Sequence, residues 1–136
     1  MYARVSYILL ISATIFLLSS CQEKKEDFFE REAREYTQSH CPLQMDSYTR
    51  LDSLVFEKGE EAGTLKSYYT LTLTGEAREE LMNRLGELGD MNLKIVRNSV
   101  VFSKYKEAGV NFTYIYHDEA TGDKIVEYNF TPKDYE

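Results

Sequence analysis

The 136-residue sequence has no tryptophan and only two cysteines, two histidines and two prolines. Two cysteines cannot build a disulfide framework. Basic charge is also short: 16 Lys and Arg stand against 23 Asp and Glu, for a formal net charge of −7. With a pI near 4.9, the chain lacks the basic patch that neutralises nucleic-acid phosphates. No apolar run reaches the ~20 residues that a membrane-spanning helix needs. Catalytic and cofactor signatures are missing too: there is no Gly-x-Ser-x-Gly elbow, phosphate loop, His-Glu-x-x-His or Cys-x-x-Cys. What the chain does have is aromatic. Eleven Tyr and seven Phe are too many for a disordered acidic chain, and the length suits one globular domain.

The first twenty residues read as an address. Met1 to Ser20 carry one charge, Arg4, and Val5 to Leu18 is an almost unbroken apolar run. A short apolar run behind a basic residue, closing on small residues, is the pattern of a secretory signal. The run ends Leu18-Ser19-Ser20-Cys21. This resembles the lipobox of bacterial lipoproteins, and specifically small envelope lipoproteins of Bacteroidota. The resemblance implies that the Cys21 thiol receives a diacylglycerol, that a dedicated peptidase cuts before Cys21, and that the new amino group is acylated. Several acyl chains on one residue anchor a protein stably, whereas a single chain binds reversibly. Cleavage would remove Arg4 and leave a mature chain with a net charge of −8. The charged segment after it, Gln22 to Asp27, resembles the surface-export signals of the same bacteria; read from charge alone it is a solvated tether. Asp52-Ser53-Leu54 resembles their O-glycosylation tripeptide.

The expected organisation is a signal peptide over 1–20, a charged tether over 21–27 and a single α+β domain over 28–136. Phe29, Ala33, Tyr36 and His40 recur at helical spacing, which predicts a helix from about Glu26 to Ser39 that Pro42 stops. Residues 48–56 and 64–74 predict a hairpin. In its second strand Leu65, Tyr69, Leu71 and Leu73 face one way, and Lys66, Tyr68, Thr70 and Thr72 the other. Glu76, Glu79 and Glu80 open a second helix, with Leu81, Leu85 and Leu88 as its stripe and Gly86 and Gly89 marking its end. Residues 93–105 fit helix better than strand. Residues 110–117 and 124–130 predict a second hairpin around the acidic turn 118–123, closed by Pro132. The order helix, hairpin, helix, hairpin suggests an internal duplication. Its physical solution is an antiparallel sheet of about four strands with helices on one face. A mature chain of this length buries roughly 65% of its unfolded surface, enough for one core without staples.

Candidates for chemistry are sparse. His40, Cys41, His117 and Asp118 are the conceivable metal ligands, but adjacent His40 and Cys41 are poorly placed for one ion. The neighbouring acids Glu79 and Glu80, and Asp118 and Glu119, read as solvated side chains rather than catalytic pairs. With Cys21 lipidated, Cys41 stands alone and is expected to be buried as a small apolar residue. Tyr114, Tyr116 and Tyr128 read as core tyrosines whose hydroxyls reach the rim, or as the lining of a glycan or peptide groove. Tyr68, Ile115 and Ile125 share the opposite sheet face and form a candidate partner surface. The expectation is therefore an exported, lipid-anchored binding protein of the envelope, at the outer membrane or cell surface. It has no enzymatic activity and no cofactor; it contacts the membrane through Cys21 and binds a protein or glycan. The alternative is an inhibitor or accessory subunit of an envelope enzyme, inserting the acidic turns 57–63 or 118–123 into a basic cleft. A small hydrolase ranks last.

Overall fold

A computed structural model describes residues 23–136. The signal segment, the lipobox and Cys21 lie outside the described residues. The chain runs α1 (Lys25–His40), β1 (Leu43–Gln44), β2 (Thr49–Glu57), β3 (Thr64–Leu71), α2 (Gly75–Asn83), α3 (Leu85–Asn98), α4 (Ser103–Glu107), β4 (Asn111–Asp118), β5 (Lys124–Phe130) and α5 (Pro132–Tyr135). The fold is α+β.

The sheet has five strands in the order β1-β2-β3-β4-β5. The fifth strand is β1, two residues after Pro42 that pair with Leu51 and Arg50; so short a strand has no alternation to detect. The sheet is also mixed rather than antiparallel. The central pair β3–β4 is parallel, from Thr64 beside Asn111 to Leu71 beside Asp118. Parallel neighbours need a long crossover, and α2, α3 and α4 supply it. This placement also removes the expected duplication. The first strand of the first hairpin, β2, lies outside its partner, whereas the first strand of the second hairpin, β4, lies inside.

Register aligns one apolar face across the sheet. Phe56, Leu65, Phe112 and Phe130 form one row, and Leu54, Ser67, Tyr114 and Tyr128 the next. All the helices that pack on the sheet do so on this face. Phe29 and Ala33 of α1, Val96 of α3 and Tyr105 of α4 join the sheet residues in a single core. Phe29 stacks on Tyr105 with ring centroids 4.4 Å apart and meets Phe56 in a tilted contact at 5.4 Å. The predicted first helix thus stands within a residue at each end, although it begins at Lys25, inside the segment read as tether.

The middle of the chain departs from the expectation. Arg84 leaves helical geometry and splits the predicted second helix into α2 and α3. α3 then continues through Gly86 and Gly89 instead of ending there. Its inner face is Gly89, Asn92 and Val96. A Cβ at Gly89 would stand 2.6 Å from Cε1 of Tyr128, so the glycine is where β5 approaches the helix, not where the helix stops. Helix indeed prevails over strand in 93–105, interrupted at residues 99–102 before α4.

Candidate functional site

Two clefts open on the helical side. The larger, about 600 Å³, lies between the β1–β2 connection, α2 and the start of α3. Its cation, Arg84, is already held by Glu80 and Glu87. The second is a groove of about 360 Å³ between α1 and the α3–α4 junction, and its lining is mostly apolar. Leu51, Leu65, Tyr69 and Tyr114 form the floor. Ala33 and Tyr36 of α1 form one wall, and Ile95, Val101 and Phe102 the other.

The groove exists because two helices rest on the sheet without closing over it. α1 packs along β2, and α3 leans toward β5 and α5. The middle rows of β3 and β4 are left partly open between them. Tyr69 stacks nearly parallel to Tyr116 at 4.9 Å and to Tyr114 at 6.1 Å, making a flat aromatic floor. Burial pushes the phenols of Tyr69 and Tyr114 well above their ordinary values. The Tyr114 hydroxyl has no hydrogen-bond partner among the described residues, yet it is not sealed from solvent. It is a polar group at the bottom of an apolar trough. By contrast, the Tyr116 hydroxyl bonds the Asn92 carboxamide at 2.9 Å, and the Tyr128 hydroxyl donates to the Leu85 carbonyl oxygen. The three tyrosines therefore divide: the hydroxyls of Tyr116 and Tyr128 are bonded to α3, and Tyr114 lines the groove with no such partner among the described residues.

One charged cluster borders the groove. Tyr105 donates to Glu32 at 2.6 Å, and Lys104 pairs with the same carboxylate. Burial opposes the charge on Glu32, but the hydrogen bonds from Lys104 and Tyr105 outweigh it and hold the carboxyl below its usual range.

The other candidate residues fall as follows. Tyr68 and Ile115 are neighbours in the β3–β4 register on the open sheet face. Tyr68 is half-buried and stacks on His117 at 6.5 Å; Ile115 is only 6% exposed, so it offers little surface to a partner. Ile125 falls at the register shift between Tyr116 and His117, where it packs against the core. Cys41 is half-buried rather than buried, at the exposed end of α1, with its thiol raised by partial burial and by the nearby charge of Asp52. Asp52-Ser53-Leu54 lies within β2, where Asp52 holds Arg50 at 2.7 Å and accepts a hydrogen bond from Thr70. Among the described residues, no three His, Cys, Asp or Glu gather as a metal site, so His40, Cys41, His117 and Asp118 are not brought together. The acidic turn 118–123 is not free either. Asp118 is buried and paired with Arg78, and Glu119 accepts from Thr72. The groove itself was missed in the sequence because its floor and walls are far apart in the chain.

The fold and groove define a small α+β domain with a mostly apolar trough between helices. The chain belongs to the domain of unknown function DUF8479, which matches residues 24–126. No curated protein matches the sequence. Two solved structures share the fold. One is a candidate secreted protein of Pseudomonas aeruginosa, 12% identical with a TM-score of 0.67; the match covers 85% of this chain and all of that one. The other is the pilotin EpsS of the Vibrio vulnificus type 2 secretion system, 10% identical with a TM-score of 0.55, covering 82% of this chain and 91% of that one. Among the described residues no helix is long and apolar enough to cross a membrane.

Proposed function

We propose that this chain is a lipid-anchored accessory protein of the bacterial envelope, held by lipid on Cys21, with its groove receiving an apolar segment of a partner protein. The observation that carries the reading is the groove: an apolar trough with an aromatic floor that includes Tyr69 and Tyr114, open between α1 and the α3–α4 junction. Apolar troughs with a few placed polar groups are the usual form of a recognition site. A segment seated there would bury its apolar side chains and offer one hydrogen-bonding group to Tyr114. The secreted and secretion-system descriptions of the two structural neighbours support an extracytoplasmic location, as does the lipobox. The signal over 1–20 and the lipid on Cys21 belong to this proposal, as does an outer-membrane or surface location.

A photo-crosslinking residue at Ile95, on the groove wall, tests it in intact cells. A discrete protein adduct at Ile95, lost when Tyr114 is replaced by Phe or Ala33 by Leu, is the expected result. Adducts at Tyr68 with none at Ile95 would move the binding surface to the open sheet face. Adducts from Glu60 or Glu61 alone would favour the inhibitor reading, in which a turn inserts into a partner.

A further inference from the structure

The α3–α4 corner, which supplies one wall of the groove, carries a further feature on its outer side. Residues 91–106 contain four cations, Lys94, Arg97, Lys104 and Lys106, and no Asp or Glu, in a chain whose net charge is −7. At the centre of this segment, Val100 is 84% exposed and Val101 75%, the most exposed large apolar side chains among the described residues. Their turn is fixed: the Ser103 amide donates to the Val100 carbonyl at 3.1 Å, and the Lys106 amide to the Phe102 carbonyl at 2.9 Å. Scattered apolar side chains on a surface need no explanation, but two adjacent ones held out within an acid-free segment carrying four cations do.

The corner also sits where a lipid anchor would bring it. Lys104 lies 5.1 Å from the ring of Phe28 and pairs with Glu32, so α4 is beside the first turns of α1. α1 begins at Lys25, four residues after Cys21, a reach of at most about 14 Å. Acyl chains on Cys21 would hold this end of the domain against the bilayer.

We propose that the α3–α4 corner is a contact surface for an anionic bilayer, with Val100 and Val101 entering the headgroup region and the surrounding cations meeting lipid phosphates. The proposal rests on the lipid-anchor reading of Cys21. Of the four cations, Glu32 neutralises Lys104. Arg97 and Lys106 donate only to backbone carbonyls, of Asp134 and Arg97, and so keep their charge. The turn 57–63 is near the same end, since Lys58 pairs with Asp27 of α1. Its exposed Glu60 and Glu61 are repelled by anionic lipid, which tilts the domain onto the α3–α4 corner. Val101 also borders the groove, whereas Val100 does not line it, so Val100 reports bilayer contact separately from groove occupancy.

The test uses the lipidated protein extracted from membranes, carrying Cys41→Ser and either Val100→Cys or Thr121→Cys, labelled with an environment-sensitive fluorophore. It is reconstituted into phosphatidylethanolamine vesicles with or without phosphatidylglycerol, and flotation is measured in parallel. The expected result is a blue shift at position 100, quenching there by shallow nitroxide lipids, and a loss of both when phosphatidylglycerol is omitted or Lys94 is changed to Glu. Position 121, in the turn at the far end of β4, stays unshifted. Flotation with no shift at 100 overturns this proposal and leaves the anchor reading intact. Absence of flotation overturns both. A shift at 100 that grows with protein-to-lipid ratio marks contact between copies and overturns the bilayer assignment, as does a shift that requires added envelope protein.

Discussion

The Asn92 carboxamide, buried on α3, donates a hydrogen bond to the Tyr116 hydroxyl on β4 at 2.9 Å. It ties the crossover helix to the central parallel pair of the sheet, and burial raises the Tyr116 phenol to about 12, so the hydroxyl keeps its proton at any working pH. Tyr116→Phe leaves a buried amide without its partner, which costs about 1–3 kcal/mol. Pairing it with Asn92→Leu is expected to recover part of that loss, because both polar groups then go. Urea unfolding of the two single variants and the double variant measures the coupling; strict additivity would show that the bond contributes nothing.

Gly89→Ala separates helix propensity from packing. Alanine is favoured over glycine within a helix by about 1 kcal/mol. Here its Cβ would lie 2.6 Å from the Tyr128 ring. The expected outcome is a lower melting temperature in the wild-type background and a neutral or higher one in Tyr128→Ser, read by thermal circular dichroism.

Phe29→Ala tests whether α1 is an integral part of the core. The ring stacks on Tyr105 and packs, tilted, against Phe56 within the core cluster. Losing a buried phenylalanine costs about 3–5 kcal/mol, a large share of the stability of a small domain. Denaturant midpoints give the value. A change below about 1 kcal/mol would mean that α1 is only loosely attached.

Arg78 and Asp118 predict a pH signature. The Arg78 hydrogen bond, with a further bond from the Ala120 amide, holds the Asp118 carboxyl below its ordinary value. A carboxyl lowered by folding stabilises fully above its unfolded pKa, about 4, and loses that contribution as pH falls through the folded value. Wild type should therefore melt above Arg78→Ala at pH 7, with the gap closing as pH falls below the unfolded value of about 4. A gap independent of pH would point to packing instead.

Cys21→Ser addresses the anchor. The expected outcome is loss of radiolabelled fatty acid from the protein, accumulation of uncleaved precursor and release from the membrane after cleavage by any other route. Unchanged fatty-acid labelling would remove the lipoprotein reading.

Local pattern alone was enough to determine the α+β class, the first helix, both hairpins and the face of β3 that turns inward. Each rests on a repeat of two or three and a half residues within one stretch of chain, and short-range sterics and burial impose that repeat directly. Everything that depends on how distant stretches meet was decided by the tertiary structure. Strands β3 and β4 became parallel neighbours because the crossover helices carried the chain back to the same end of the sheet. Gly89 read as a helix end until Tyr128 was placed against it. Asp118 read as a solvated turn acid until Arg78, forty residues earlier, was placed beside it. The groove was legible in no segment, since its floor, walls and free Tyr114 hydroxyl come from six elements. A sequence reports which face of each element avoids water; which faces meet, and where they fail to close, is fixed only when the whole core packs.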